Sequence, residues 1–344
     1  METGFWQSLP RPIFGLSPMD GVTDAAYRFV VAKYGKPHII MTEFTAAEGI
    51  RAGAERLLVD FLYDPIERPI AAQLFGSDPD AFRIASAVSA ALGFDGIDIN
   101  MGCPAKNIAD RGAGASLILD PPRAKAIIRS TREGIRQWAE GASLLEIGVP
   151  ENIAQAVEVR RASLGLSSGD RRILPVSVKT RVGVTDIVIE EWVRHLLEEE
   201  PAAITIHGRT LKQLYTGLAD WDAIARAAAI IHTTDTLALG NGDVQSLEDA
   251  EERVKQYGVD GILVGRATYG NPWLFTGYEA SFEEKMAVAL EHAHYLDKVM
   301  EGKAFIRMRK HLMDYTKGFE GARELRQRLM KITTLTEVEE ILLH

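Results

Sequence analysis

The chain has 344 residues and a single cysteine, Cys103, so no disulfide can form within it, and a thiol that takes part in chemistry acts without a cysteine partner. No run of about 18 apolar residues occurs, which excludes a membrane-spanning helix. The start lacks a charged-then-apolar leader, which predicts a cytoplasmic protein rather than a secreted one. Nor do His, Cys, Asp and Glu stand at metal-ligand spacing anywhere along the chain. His292 and His294 lie two apart and on a helix would point away from each other, so no metal is predicted. Positive charge is the minority sign, with 39 Lys and Arg against 48 Asp and Glu and a formal net charge of −9.

The cations that are present gather near the C-terminus. Nine lysines and arginines between Lys303 and Lys331, among them Arg323, Arg326 and Arg328, face only Asp314, Glu320 and Glu324. The local balance is +6, leaving −15 for the rest of the chain. Two readings fit: a solvated helix face, or an RNA-binding module carried by an acidic enzyme. With 46% hydrophobic and 25% charged residues, the chain can bury one large core and a smaller second one.

Short β-branched and apolar runs recur, each ending near a polar residue or glycine: Ile13–Ser17, Ile39–Thr42, Ile70–Leu74, Gly96–Asn100, Val176–Lys179, Ala203–His207, Leu237–Gly240 and Gly261–Val264. Helical periodicity separates most of them, over Asp24–Tyr34, Pro79–Leu92, Pro122–Arg132, Asp186–Glu199, Trp221–Ile231 and Ser246–Tyr257. Asp78, Ser246 and first-turn prolines mark helix starts. The pattern predicts an α/β protein, a (β/α)8 TIM barrel over residues 1–275, with a doubly wound open sheet as the alternative. The fourth and fifth strands lie unusually far apart. The excess, Gly134–Arg172, holds the loop signal Ser167-Ser168-Gly169-Asp170 and predicts a helical excursion outside the barrel, disordered in part. After Gly270-Asn271-Pro272 the repeat stops. Phe282–Glu301, Ala304–Lys317 and Ala322–Leu343 then predict a separate helical domain over 280–344 that carries the basic segment.

Polar and titratable residues stand at the C-terminal ends of nearly all eight strands: Ser17-Pro18-Met19, Thr42-Glu43, Gln73, Asn100 with Cys103, Lys179 with Arg181, His207, Asn241-Gly242-Asp243 and Gly265-Arg266. A barrel brings those positions onto one rim, which is where barrel enzymes carry their chemistry. After the seventh and eighth strands, glycines beside Asp243 and Arg266 predict a phosphate site. There, backbone N–H groups can approach the anion and the arginine can pair with it. Lys179 and His207 could then polarise ring oxygens and nitrogens of that phosphorylated ligand. Gly112-Ala113-Gly114-Ala115-Ser116 lacks GxGxxG or Walker spacing and predicts an ordinary loop.

Taken together, Ser17-Pro18-Met19-Asp20-Gly21-Val22-Thr23-Asp24, Thr42-Glu43-Phe44, Gln73-Leu74-Phe75-Gly76, Asn100-Met101-Gly102-Cys103-Pro104, Val178-Lys179-Thr180-Arg181, Ile206-His207-Gly208-Arg209-Thr210, Gly240-Asn241-Gly242-Asp243 and Val264-Gly265-Arg266 resemble the tRNA-dihydrouridine synthases. Arg309-Lys310-His311 and Tyr315-Thr316-Lys317-Gly318 are similar to the C-terminal helical domain of that family's bacterial B-type branch. The resemblance implies FMN as cofactor, NADPH as reductant, tRNA as partner and reduction of the C5=C6 bond of a uridine. It further implies that Pro18 and Met19 lie against the flavin and that Gln73, Lys179 and His207 bind its rings. Asn241, Gly242, Asp243, Gly265 and Arg266 would surround its phosphate. Asn100 would hold the uracil edge and Cys103 would be the general acid, with Arg181, Arg209, Arg323 and Arg326 contacting substrate.

One departure from the family is the length of the Gly134–Arg172 segment. The other is the acidic balance, which leaves RNA affinity to the local basic segment and the cleft. The rival reading is a flavin barrel acting on a small pyrimidine or quinone, its terminal helices serving oligomerisation. A monomer is compatible with the sequence.

Overall fold

The computed structural model describes residues 4–103, 112–214, 216–319 and 321–343; Pro104 and Glu320 from the motifs above lie outside these. Nine parallel strands form one sheet: β1 (Ile13–Leu16), β2 (Ile39–Met41), β3 (Thr45–Ala46), β4 (Ile70–Phe75), β5 (Gly96–Met101), β6 (Val176–Arg181), β7 (Ala203–His207), β8 (Leu237–Asn241) and β9 (Gly261–Val264). β1 pairs with both β2 and β9, and β2 reaches β4 through Ile40 opposite Ile70, so the sheet closes on itself. Closure rules out the open-sheet alternative. The two-residue β3 is an element the sequence pattern missed. It lies on β4 with Thr45 opposite Leu74, continuing along the edge that β2 leaves after Met41.

Helices sheathe the barrel: α1 (Ala25–Gly35), α2 (Ala47–Arg51), α3 (Pro79–Ala91), α4 (Pro121–Ala139), α5 (Leu144–Ile147), α6 (Glu151–Ser163), α7 (Ile189–Leu197), α8 (Trp221–Ile231) and α9 (Leu247–Tyr257). The start signals act as expected. Asp78 accepts from Asp80 N and Ala81 N with Pro79 at the first helical position, and Ser246 accepts from Asp249 N. Side chains of the strands alternate between this sheath and the barrel interior. Ile97, Ile99 and Met101 of β5 join the apolar core, whereas Asp98 and Asn100 have polar partners across the barrel.

Two expectations about residues 134–172 need correction. α4 runs on through Gly134 to Ala139, because Gly134 is where α4 presses on α3: a Cβ there would sit 1.9 Å from the Arg83 carbonyl oxygen. The rest of the excursion is packed rather than loose. Leu144, Ile147, Ile153 and Val157 join the main core, and Arg161 donates to the carbonyl of Ala91 at the end of α3 (2.5 Å). Arg171 stacks 3.8 Å above the ring of Trp138 on α4. The Ser167–Asp170 loop signal becomes a capped 3-10 turn.

The terminal helices are α10 (Phe282–Met300), α11 (Met308–Tyr315), α12 (Ala322–Leu329) and α13 (Leu335–Leu342). The expected helix over Ala304–Lys317 begins instead as a 3-10 turn, Phe305–Arg307. The expected helix over Ala322–Leu343 is broken, because Thr334 forms a capping box with Glu337 and starts α13 afresh. These helices share one apolar core (Val288, Leu296, Leu312, Leu329, Val338) with Ala26 and Val30 of α1 and with Trp273. The C-terminal helices are therefore bonded to the barrel through α1. Beneath that junction a buried ion pair, Arg28 Nε to Glu67 Oε2 at 2.7 Å, fixes α1 to the turn before β4.

Candidate active site

Strand register assembles the site. Gln73 pairs with Asp98, Asn100 with Lys179, Arg181 with His207, and His207 with Asn241, so polar residues of five successive strands, β4 to β8, stand side by side around the barrel mouth. Above them opens a cavity of about 550 Å³. Of the residues singled out from sequence, Pro18, Met19, Asn100, Cys103, Lys179, Arg181, His207, Arg209, Asn241, Gly242, Asp243, Gly265 and Arg266 line it.

Gln73 is not among them. It is fully buried beneath the floor, donating from Nε2 to Asp98 Oδ2 (2.6 Å) and accepting from Asn100 Nδ2 (3.0 Å). Asp98 also accepts from Ser177 Oγ (2.7 Å). This chain of bonds has a fixed direction. A carboxylate only accepts, so Gln73 turns its amide N–H toward Asp98 and its oxygen toward Asn100, and Asn100 turns its own oxygen outward. That oxygen accepts from Gly102 N (3.0 Å) and Cys103 N (2.9 Å), holding the turn that carries the thiol. Burial pushes Asp98 up to about 6, against its hydrogen bonds from Ser177 and Gln73. Sequence reading passed over Asp98, although the period-2 pattern of Gly96–Met101 places it on the same inward face as Asn100.

Cys103 is buried, packed with Ala113, Phe44 and Phe75. Gly112-Ala113-Gly114-Ala115-Ser116, expected as a plain loop, leads into a 3-10 helix, Gly114–Leu119, and Ala115 N donates to Cys103 O (3.3 Å). Its role is to support the thiol-bearing turn from below. Arg181 props the turn from the β6 side through Nε to Gly102 O (2.7 Å). The motif Thr42-Glu43-Phe44 divides. Phe44 lines the cavity, Thr42 Oγ1 accepts from Gln73 N (3.0 Å), and Glu43 sits toward Asp24 and Arg28, where burial pushes it up to about 7.

On the strands that follow, Lys179 donates to Asn241 Oδ1 (3.0 Å), whose amide donates to Leu263 O (2.7 Å). Burial first, and Arg181 second, lower the Lys179 ammonium to about 8, with Asp98 opposing them. His207 is held far below its usual range by burial and by Lys179, Arg181, Arg209 and Arg266, so its imidazole is neutral. Arg209 is committed to protein partners: it clasps Asp243 through both carboxylate oxygens (2.8 and 2.7 Å) and donates to Gly217 O (2.6 Å). Arg266 reaches the same carboxylate at 2.8 Å while its side chain stays 56% exposed. With the Asp243 carboxylate taken up by two arginines, what this part of the rim offers an anion is the backbone of the loop after β8 and, from the turn after β9, Arg266. Gly242 (φ 130°) keeps that backbone open, since a Cβ there would lie 2.6 Å from that of Ala219. Thr23 Oγ1 accepts from Met19 N (2.9 Å) and Tyr269 donates to Met19 Sδ (3.4 Å), fixing the Pro18-Met19 wall. Arg323 and Arg326 lie apart from this cavity, on α12.

A closed parallel barrel with a cation-lined cavity at the strand C-termini and one thiol on its rim has the active-site face of a barrel enzyme. The model of the family "Dihydrouridine synthase (Dus)" matches residues 15–137 and 135–344, and the chain belongs to that family of flavin-dependent oxidoreductases. A "probable tRNA-dihydrouridine synthase" of Staphylococcus epidermidis is 33% identical, with 99% of this chain and 96% of the relative covered. The "probable tRNA-dihydrouridine synthase 2" of Bacillus subtilis is likewise 33% identical over 99% and 96%. In three dimensions the chain is similar to DHODH of Eimeria tenella in complex with ferulenol (TM-score 0.51, 14% identity, 83% and 81% covered), a likeness of fold. No helix among the described residues is long and apolar enough to cross a membrane.

Proposed function

We propose that this chain reduces the C5=C6 bond of a uridine in tRNA to 5,6-dihydrouridine, with FMN as cofactor and NADPH as reductant, as an enzyme of the B-type branch. The observation that carries the reading is the juxtaposition, in one cavity, of the Cys103 turn with Lys179, His207 and Arg266. The residues present fit FMN. A neutral imidazole, an ammonium and a carboxamide line the mid-depth of the cavity, where Lys179, His207 and Asn241 would meet the ring system. At its edge Gly242, Gly265 and Arg266 provide backbone and charge for a phosphate. At Gly265 a Cβ would sit 3.1 Å from Met19 Sδ, so a side chain there would push on the Pro18-Met19 wall.

When bound, the flavin supplies hydride to one alkene carbon of the uracil. The chain itself must then deliver a proton to the other carbon, and Cys103 does so. A thiol is a stronger proton donor than an aliphatic hydroxyl. Asn100 has one amide hydrogen committed to Gln73 and a second for a uracil carbonyl. Gln73 acts through Asn100 and not by touching the flavin, and Arg209 orients Asp243 and Arg266 rather than touching the base. Arg181 would steady the Cys103 turn beside the substrate.

Incubating unmodified tRNA with the FMN-loaded enzyme and NADPH, then mapping dihydrouridine by mass spectrometry, tests the whole reading. Reduction of a free pyrimidine or a quinone with tRNA untouched would instead establish the small-substrate alternative. Two narrower outcomes follow. Arg266→Ala should weaken FMN binding by about 1.5–3 kcal/mol, the range for a hydrogen bond to a charged group. Full flavin content with unchanged affinity would remove Arg266 from the phosphate site. FMN affinity of the apoprotein should also fall as pH rises through about 8, because Lys179 is cationic below that value and neutral above it. Lys179→Met should lose this dependence, and a pH-independent affinity in the wild type would contradict the assigned contact.

A further inference from the structure

Asp24, His292 and His311 come from three elements distant in sequence and meet at the junction of barrel and terminal helices. Asp24 is the N-cap of α1, His292 lies on α10 and His311 on α11, and they are 8%, 0% and 2% exposed. One ligating atom of each lies within 4.8 Å of the other two. Asp24 Oδ1 caps the helix by accepting from Tyr27 N (3.0 Å), but Asp24 Oδ2, His292 Nε2 and His311 Nε2 have no hydrogen-bond partner among the described residues. Buried side-chain N and O atoms in that condition are few here, the others being on Trp138 and Arg160. That the same three residues both carry unpartnered atoms and bring ligating atoms together is not the scatter that imperfect packing leaves. Each such atom is costly to leave buried with nothing to serve it.

We propose that these three side chains bind a divalent first-row transition metal, Zn2+ in the first instance, and that the ion clips the terminal helices to the barrel. Two imidazole nitrogens and one carboxylate oxygen are the donor set such an ion takes. Both imidazoles are ready to coordinate. Burial holds their basicity down, His292 to about 4 and His311 well below the usual value, so each is neutral with a lone pair available. The other nitrogen of His292, Nδ1, lies 3.3 Å from the Tyr315 hydroxyl, the outer contact that fixes a ligand's tautomer. The neighbouring cation is Lys310, and the charge of Asp24, Glu43 and Asp20 acts on it in opposition to its burial. Loading the site would draw the donors together, since ligands at ~2.0–2.1 Å on a tetrahedral centre stand about 3.3–3.5 Å apart. No stretch of sequence shows this triad: its members come within reach only when α10 and α11 pack on the start of α1.

The test uses the whole FMN-loaded protein after chelator treatment and reads metal rather than activity, so it stands apart from the proposed reaction. Zn2+ should bind at one equivalent per chain and raise Tm. Co2+ should give the intense visible absorption of a four-coordinate site, and Zn2+ should displace it. Asp24→Asn retains an N-cap oxygen and His311→Gln a polar side chain; in each, the tightly bound equivalent and the Co2+ band should be lost. Sub-stoichiometric uptake, an aqua-like Co2+ spectrum and a Tm indifferent to Zn2+ would overturn the proposal and leave a buried water as the group that serves the three atoms. An unchanged Zn2+ equivalent in both variants would place the ion elsewhere.

Discussion

In Cys103→Ala, formation of dihydrouridine in a single turnover should slow by about 100- to 10,000-fold, the usual contribution of a positioned general acid. Reduction of the flavin by NADPH should proceed at the wild-type rate. The separation follows from geometry. Cys103 stands on the β5 turn, held by Asn100 Oδ1 through Cys103 N (2.9 Å), and lines the same cavity as Lys179 and His207 without carrying any hydrogen bond of theirs. Removing its sulfur leaves the bond of Lys179 to Asn241 and that of Arg266 to Asp243 intact. The turn should survive as well, because its hydrogen bonds use the backbone of Gly102 and Cys103 and not the thiol. Cys103→Ser keeps a proton on a much weaker acid and should fall near the alanine variant. Stopped-flow measurement of the two half-reactions decides the matter: wild-type reoxidation by tRNA in Cys103→Ala removes the thiol from proton delivery, and loss of both half-reactions makes its role structural.

Much of this arrangement was legible in the chain because a parallel barrel converts sequence position into spatial position. A polar residue at a strand's C-terminal end must lie on one rim, and β5 to β8 are in a register that sets Asn100, Lys179, Arg181, His207 and Asn241 side by side. What pattern reading could not see depended on contacts between distant segments. Gln73 ends its strand like the others, yet Asp98 on the neighbouring strand draws its amide downward, so it orients Asn100 instead of reaching the cavity. The length of α4 was hidden because Gly134 reads as a helix breaker, whereas here it permits close contact with α3. Arg309, counted among the basic residues, is occupied in closing α11 onto the carbonyls of Ile332 (2.8 Å) and Lys331 (3.2 Å). Lys310 is drawn inward toward Asp24 and Glu43. Part of the +6 balance is thus structural, which sharpens the choice of residues for testing the remainder.

Arg323, Arg326 and Arg328 are the part of that remainder carried by α12. They share α12, Arg323 and Arg328 are exposed, and no ion pair among the described residues engages any of the three. By contrast Lys303 pairs with Glu301 (3.0 Å) and Lys317 with Asp314 (2.5 Å). If α12 grips the tRNA backbone, reversing all three arginines to glutamate removes up to three phosphate contacts and adds repulsion. The tRNA Kd should then rise by more than about tenfold, and the slope of log K against log salt should become shallower by about 2–3. The substituted side chains lie away from the cavity, so FMN content and reduction by NADPH should match wild type, and saturating tRNA should restore turnover. Filter binding across a salt series separates the readings. A parallel line displaced downward means that the arginines shape the domain without touching phosphate. An unmoved line means that α12 is a solvated face and that tRNA is held by the barrel rim alone.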